Sequence, residues 1–286
     1  MRWRRDTVEP QSRTADIPLP PRPGPITSLR VLGHGFVLSL PERTDIVIGR
    51  AGSPATHVQL AFGSISRIHA SLHRNASGVL VSDQGSMNGL GAPDPRVRTV
   101  YHRVDSIQVQ VGGRFALGST WLLALDAATD QLTAPFVAYC GEDEYEDVDR
   151  ALEGAARGHM MVLNGRGGDL LPLARMIHEH SVRREYPFTV VETFPSSPAS
   201  IDELFSRAAC GTIYLDMREP QAVPARFAQH LCSHRYHTRA IVVARDPHEV
   251  SKHFGPAFLG RERGAFAACA VGFPRPPGPN DFYVIS

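Results

Sequence analysis

The sequence has few of the features that mark several common classes of protein. Its four cysteines, Cys140, Cys210, Cys232 and Cys269, include no Cys-x-x-Cys pair. We therefore expect neither a metal site nor a disulfide framework. No segment approaches the roughly 20 consecutive apolar residues that a transmembrane helix needs, so no membrane span is expected. The formal net charge of +1 gives no general attraction to nucleic acid or membrane surfaces.

Lysine is almost absent, because Lys252 is the sole lysine in the chain. Any phosphate-binding loop far from residue 252 must therefore work without lysine. The segment Met1–Arg5 is basic, but no apolar run follows it, which argues against a secretory signal peptide. These features predict a cytoplasmic protein with reduced thiols.

The pattern of residues divides the chain into four segments. Residues 1–27 are polar and proline-rich and are expected to form a disordered tail. Residues 28–130 contain short apolar runs between turns, which predicts an all-β sandwich. Residues 136–275 alternate apolar strands with helical segments, which predicts an α/β domain with a mostly parallel sheet. Residues 276–286 are expected to be a second tail.

The strands expected in the sandwich are 31–40, 46–48, 58–60, 68–72, 79–81, 107–111 and 121–125. The α/β domain is expected to have strands at 160–163, 188–191, 212–215 and 240–243, and helices at 170–180, 201–209 and 223–232.

Three polar motifs follow predicted strands of the sandwich. They are Gly49-Arg50, Ser66-Arg67-Ile68-His69 and the turn from Asp83 to Gly89. In this order, the three motifs resemble the forkhead-associated (FHA) family over residues 30–125. The resemblance implies a β-sandwich that binds phosphothreonine peptides through loops at one end. The alternative is a sandwich on which Arg50 and Ser66 are ordinary surface residues.

The resemblance also implies a role for each residue of the motifs. Arg50 would pair with the phosphate, Ser66 would donate its hydroxyl to it, Arg67 would add charge, and Asn88 would bind the peptide backbone. The residues that would support this pocket without touching the ligand are Gly49, His69, Ser86 and Gly89. One residue departs from the pattern, since Met87 occupies a position that often carries a polar side chain. A thioether cannot donate a hydrogen bond, so we expect reduced affinity.

The second domain resembles a shortened AAA+ ATPase domain of bacterial sigma-54 activators. The matching stretches are 161–165, 174–178, 187–188, 202–205, 211–216 and 245–246. Several functional residues of that family are missing. The glycine-rich loop from Gly165 to Leu171 has no lysine and contains Asp169, and Asp216 is followed by Met217 where the family has a glutamate. We therefore expect a degenerate P-loop-like fold, a pseudo-ATPase without enzymatic activity or cofactor.

Two further features were considered as sites. His230, His234 and His237 cluster near a predicted helix end, where solvent-exposed histidines are expected in preference to a metal site. Thr14 is a candidate phosphosite, because an isoleucine lies three residues after it and FHA domains often prefer an aliphatic residue there.

The sequence thus predicts a bacterial signalling adaptor with two domains. Its partner would be a phosphothreonine-containing protein, with a Ser/Thr kinase upstream as a further partner. No direct binding to nucleic acid is expected, since the helix-turn-helix of the activators is absent. The second domain would be an interaction scaffold or a packing partner retained without function. Two alternatives remain for the whole chain: an ATP-responsive transcription regulator, or a structural component of an assembly whose FHA fold binds no phosphate.

Overall fold

A computed structural model gives the architecture of the chain. It describes residues 23–94, 101–165, 167–219, 221–232 and 235–246, together with 250, 254, 267–271 and 283–284. Thr14, His234 and Lys252, all named above, lie outside the described residues, as do Arg166 of the glycine-rich loop, the segment Met1–Arg5 and most other residues of the two predicted tails.

The first part of the chain forms the predicted β-sandwich. Its strands are β1 (Ile26–Val31), β2 (Phe36–Ser39), β3 (Asp45–Arg50), β4 (Val58–Leu60), β5 (Ala70–Asn75), β6 (Gly78–Asp83), β7 (Leu90–Pro93), β8 (Tyr101–Val104), β9 (Ser106–Val109), β10 (Arg114–Leu117) and β11 (Thr120–Asp126). One sheet has the order β4-β3-β5-β6-β9 and the other β2-β1-β11-β10-β7-β8. Apolar side chains from both sheets, such as Ile48 and Phe115, fill the core between them.

The prediction of a single strand over residues 31–40 is wrong. The chain turns between β1 and β2, which pair as an antiparallel hairpin. Gly33 and Gly35 have φ values of 75° and 70° in this turn, which a residue with a Cβ rarely adopts. Apolar residues flank the turn on both sides, so the apolar pattern of residues 31–40 is that of one continuous strand. Strand β1 also begins at Ile26, inside the segment assigned to the N-terminal tail.

The second part of the chain is an α/β domain, as predicted. Its elements are α1 (Ala127–Asp130), α2 (Thr133–Cys140), α3 (Tyr145–Arg157), β12 (Met161–Asn164), α4 (Leu171–Glu179), β13 (Phe188–Val191), α5 (Pro198–Arg207), β14 (Thr212–Asp216), α6 (Ala225–Cys232), β15 (Arg239–Ala244), β16 (Ala267–Val271) and β17 (Tyr283–Val284). The sheet has the order β13-β14-β15-β12-β16-β17. Every pairing in it is parallel except that of β16 with β17.

Helix α3 joins the two domains. Its Leu152 lies in one apolar cluster with Leu123 of the sandwich and Leu163 of the parallel sheet. On the same helix, Glu153 forms a buried ion pair with Arg114 of β10. Apolar and ionic contacts therefore both cross this boundary, and one apolar cluster contains residues of both domains.

Candidate functional site

The loops that follow β3, β4 and β6 meet at one end of the sandwich. The amide of Arg50 donates a hydrogen bond of 2.9 Å to the carbonyl of Ser66. The amide of Met87 donates one of 3.1 Å to Oγ of Ser66. Ser66 therefore lies between the other two motifs, although the three are separate in sequence.

His69 holds two of these loops together from behind. Its side chain is buried, and its Nδ1 accepts a hydrogen bond of 3.0 Å from the amide of Ser66. Nδ1 is thus an acceptor, so the ring hydrogen lies on Nε2, which donates to the carbonyl of Gly89 at 3.1 Å. This is the geometry that the predicted bracing role of His69 requires.

Ser86 closes the third loop in the same way. Its buried hydroxyl donates to Oδ1 of Asp83 and accepts a hydrogen bond of 2.9 Å from the amide of Gly89. Gly89 has a φ of 79°, in the left-handed region that favours glycine. Serine, aspartate and glycine therefore set the shape of this turn and leave the neighbouring Asn88 exposed.

The outer surface of the loops presents hydrogen-bond donors. Arg50 and Arg67 are exposed, and neither forms an ion pair within the part of the chain that the structure describes. Ser66 uses its oxygen as an acceptor from Met87, so its hydroxyl hydrogen can still be donated to a ligand. Asn88 donates from Nδ2 to the carbonyl of Ser64 at 2.8 Å, which fixes its amide group beside the loop. Two exposed guanidinium groups and an available hydroxyl thus belong to loops that touch each other, an arrangement suited to a phosphate.

Gly49 allows the first two loops to approach each other. A Cβ atom at this residue would lie 2.0 Å from the carbonyl oxygen of Arg67 and 2.6 Å from Cγ2 of Thr56. The first of these atoms belongs to the backbone and cannot rotate away. The close approach that carries Arg50 and Arg67 to one edge therefore requires glycine here.

Sequence reasoning missed Arg103, which also belongs to this end of the sandwich. Its guanidinium donates a hydrogen bond of 3.1 Å from Nη2 to the carbonyl of Ser86. Strand β8, on which it lies, was not predicted, because three of its four residues are exposed and show no apolar alternation. Only the pairing of β8 with β7 brings Arg103 to the loops.

A second candidate site lies at the carboxyl ends of the parallel strands. Residues after β12, β13, β14 and β15 line a crevice of about 740 Å³. Nε of Arg218 donates to both carboxylate oxygens of Asp216 at 3.0 Å, and Nη1 donates to the carbonyl of Gly168 at 2.9 Å. Burial acts to raise the pKa of Asp216, but its hydrogen bonds with Arg218 outweigh burial and hold that pKa below its usual value.

The loop between β12 and α4 carries its own acid at the start of the helix. Oδ1 of Asp169 accepts a hydrogen bond of 2.9 Å from the amide of Leu171, the first residue of α4. The N-terminus of a helix at this position of an α/β sheet is where a phosphate group commonly binds. Asp216 and Arg218 therefore place internal charges of both signs within this crevice, and Asp169 adds a negative charge at the neighbouring start of α4.

The expectation of solvent-exposed histidines near residue 230 is wrong for His230. Its side chain is 12 % exposed, and its Nε2 lies 2.6 Å from Oδ1 of Asp202. Its ring packs against Phe205 and Tyr236 at centroid distances of 5.2 and 5.1 Å. Asp202 comes from the neighbouring helix α5, so the pair ties α5 to α6. Within the described residues, no group of three or more histidine, cysteine, aspartate or glutamate side chains is arranged to hold a metal ion.

Comparison with protein families identifies the N-terminal sandwich. Residues 46–118 match the family model of the FHA domain. This segment contains all eight residues of the predicted pocket. No curated protein matches the chain at a significant level.

Similar solved structures include several FHA domains. The FHA domain of CT664 protein from Chlamydia trachomatis is 26 % identical, with a TM-score of 0.29, and the match covers 35 % of this chain and 95 % of that chain. The Slr1951 protein from Synechocystis is 25 % identical, with a TM-score of 0.28 and coverage of 34 % and 92 %. The FhaA FHA domain, complexed with the intracellular domain of Rv3910, is 23 % identical, with a TM-score of 0.27 and coverage of 34 % and 97 %.

No helix among the described residues is both long enough and apolar enough to cross a bilayer.

Proposed function

We propose that the protein is an adaptor that binds phosphothreonine peptides through its FHA domain and acts downstream of bacterial Ser/Thr kinases. FHA domains are phosphothreonine-dependent binding modules, and this one occupies residues 46–118. One observation carries the proposal. Ser66 is fixed between the other two loops and keeps its hydroxyl hydrogen for a ligand, while Arg50, whose amide bonds to Ser66, and the adjacent Arg67 are both exposed.

The recognition step follows from the chemistry of these side chains. A phosphothreonine carries close to two negative charges and three acceptor oxygens, whereas threonine is neutral. Arg50 and Arg67 would pair with the charge, Ser66 would donate to a phosphate oxygen, and Asn88 would hydrogen-bond the peptide backbone. The unphosphorylated peptide would leave the guanidinium groups without a partner, so binding should depend on the phosphate.

The test is a titration of the full-length protein with a phosphothreonine peptide library, followed by variants against the best peptide. A hydrogen bond to a charged group contributes ~1.5–3 kcal/mol, so Arg50→Ala and Ser66→Ala should each weaken binding by about tenfold or more. Arg43→Ala is the matched control, because Arg43 is exposed at the opposite end of β3. Equal affinity for phosphorylated and unphosphorylated peptides in the unmodified protein would end the proposal.

The α/β domain would serve this adaptor as an interaction scaffold that does not hydrolyse ATP. Asp216, the acid that a metal would need, is neutralised by Arg218, and the start of α4 is occupied by Asp169. The loop contains no lysine, since Lys252 is the only one in the chain. The crevice thus offers little to stabilise the transfer of a phosphoryl group.

A nucleotide-responsive regulator is the second candidate function. It is favoured by the crevice, which lies where α/β proteins commonly bind ligands, next to the switch in strand order at β12. Thermal unfolding with magnesium and ATP separates the two functions. No rise in the unfolding temperature is expected for the adaptor. A rise, together with hydrolysis that Asp216→Ala abolishes, would support the regulator.

A further inference from the structure

Arg103 covers part of the loop that carries Asn88. A Cβ atom at Gly89 would lie 2.5 Å from Nε and 2.9 Å from Cζ of Arg103. The guanidinium therefore lies directly over the backbone of Gly89, the residue after Asn88. Its Nη2 also donates to the carbonyl of Ser86, on the other side of Asn88 in the sequence.

The charge of Arg103 is only partly offset. Among the described residues, its ion-pair partner is the carboxylate of Asp83, whose Oδ2 lies 3.9 Å from Nη2 of Arg103. That carboxylate is 13 % exposed and already accepts hydrogen bonds from the amide and hydroxyl of Ser86. The side chain of Arg103 is 61 % exposed. A guanidinium that is exposed and weakly paired at the rim of a binding site can accept a carboxylate from a ligand.

We propose that Arg103 selects an acidic side chain in the bound peptide, within about three residues of the phosphothreonine. This inference rests on the proposed function. Met87 contacts Oγ of Ser66 through its amide, and Gly89 lies two residues further along the loop. Consecutive Cα atoms are ~3.8 Å apart, so Arg103 lies at most about two to three residues of extended peptide from the phosphate. The preferred ligand class is therefore an acidic phosphothreonine peptide.

A purely structural role for Arg103 would give a different result. If the side chain only held the carbonyl of Ser86 in place, its removal would weaken all phosphopeptides equally. If it pairs with a peptide carboxylate, its removal would weaken only those that carry the carboxylate. A double-mutant cycle between protein and peptide separates these cases, because it isolates the pairwise interaction.

The experiment uses the full-length protein and the best phosphopeptide from the library. At each of the three positions before and after the phosphothreonine, a glutamate peptide and its glutamine counterpart are titrated at physiological ionic strength, about 0.15 M. We expect glutamate to be preferred by up to about fivefold at one position, the upper end of the range for an exposed ion pair. Arg103→Gln should abolish that preference, and Arg103→Lys should retain part of it.

Arg43→Gln is the matched control for the loss of one positive charge. Arg43 is exposed and lies beyond the far end of β3, a strand of six residues. At ~3.3 Å per residue this is about 20 Å from the pocket, well beyond the screening length of physiological salt. The preference for glutamate should therefore survive in Arg43→Gln.

The outcomes separate this inference from the proposed function. Phosphate-dependent binding without a glutamate preference at any position would overturn the role of Arg103 and leave the FHA function intact. The same holds if Arg103→Gln weakens the glutamate and glutamine peptides by equal factors. If the unmodified protein binds phosphorylated and unphosphorylated peptides equally, both the role of Arg103 and the proposed FHA function are overturned.

Discussion

Arg30 in strand β1 of the sandwich forms a buried ion pair with Asp149 in helix α3 of the α/β domain. The two side chains are 1 % and 5 % exposed, and the other carboxylate oxygen of Asp149 accepts a hydrogen bond of 2.7 Å from the amide of Gly33. The pair therefore links the hairpin of the sandwich to the helix that both domains share. This contact distinguishes the chain from a sandwich and an α/β domain joined only by a linker.

We predict that Asp149→Ala strongly destabilises the protein. Removing one partner of a buried ion pair leaves the other charge uncompensated, at a cost of about 3–5 kcal/mol. The measurement is the free energy of unfolding from urea denaturation. Glu185→Ala is the control, because the side chain of Glu185 is 81 % exposed in its ion pair with Arg184 and should contribute little. Equal effects of the two substitutions would contradict the buried contact.

We predict that Gly49→Ala disrupts phosphopeptide binding without touching the ligand. The added methyl group would lie 2.0 Å from the carbonyl oxygen of Arg67, so the two loops must separate. Gly63→Ala is the control in the loop after β4, since a Cβ there meets no atom within 4 Å. Titration should show at least a tenfold loss (about 1.4 kcal/mol) for Gly49→Ala and little change for Gly63→Ala. Normal binding by Gly49→Ala would show that the loops need not be so close.

We predict that Met87→Thr increases affinity for a phosphothreonine peptide. The side chain of Met87 is 85 % exposed beside Ser66, and a hydroxyl at this position could donate to the phosphate. Met87→Val is the matched control, because valine has the shape of threonine but no donor. A gain in both variants would point to side-chain size, and a gain in neither would argue against a phosphate near this loop.

The stability of the α/β domain should depend on pH through His178. Burial, with a contribution from the charge of Arg239, lowers the pKa of His178 from 6.5 to about 4. Between these values the unfolded chain binds a proton at this residue and the folded chain does not. The free energy of unfolding should therefore fall as the pH is lowered from 6.5 to 4, by up to about 1.4 kcal/mol per pH unit.

The measurement compares urea denaturation across this pH range for the unmodified protein and for His178→Asn. The variant should have a shallower profile, because the buried titrating group is gone. His102→Asn, which replaces an exposed histidine of β8, is the matched control for the loss of one imidazole. Parallel profiles for the unmodified protein and His178→Asn would contradict the assignment.

We predict that phosphorylated Thr14 is a ligand of the FHA domain in the same chain or in a second copy. Thr14 lies outside the described residues, and the proposal depends on the sequence Arg13-Thr14-Ala15-Asp16-Ile17. A tethered ligand can reach an effective concentration of about millimolar. A peptide of residues 8–20 is titrated against the protein with and without phosphate on Thr14. Binding weaker than millimolar, or binding that Arg50→Ala does not reduce, would end the proposal.

The sequence by itself determined the fold class of both domains. Short apolar runs between turns predicted the sandwich, and the alternation of strands and helices predicted the parallel sheet, because both patterns report burial within each element. The three polar motifs also indicated the FHA domain, because their order and their places after predicted strands resemble that family. These patterns do not predict which strands and helices become neighbours in the folded chain.

The tertiary structure decided the contacts between elements that are distant in sequence. Arg103 reaches the loop of Asn88 only because β8 pairs with β7, and His230 pairs with Asp202 only because α5 packs beside α6. The pairing of Arg30 with Asp149, 119 residues away, likewise depends on helix α3 packing against the sandwich. Periodicity describes the environment of one element at a time, whereas charge pairing depends on which surfaces meet. The motifs of the pocket could therefore be predicted from the sequence, whereas the residues around them were identified only from the folded structure.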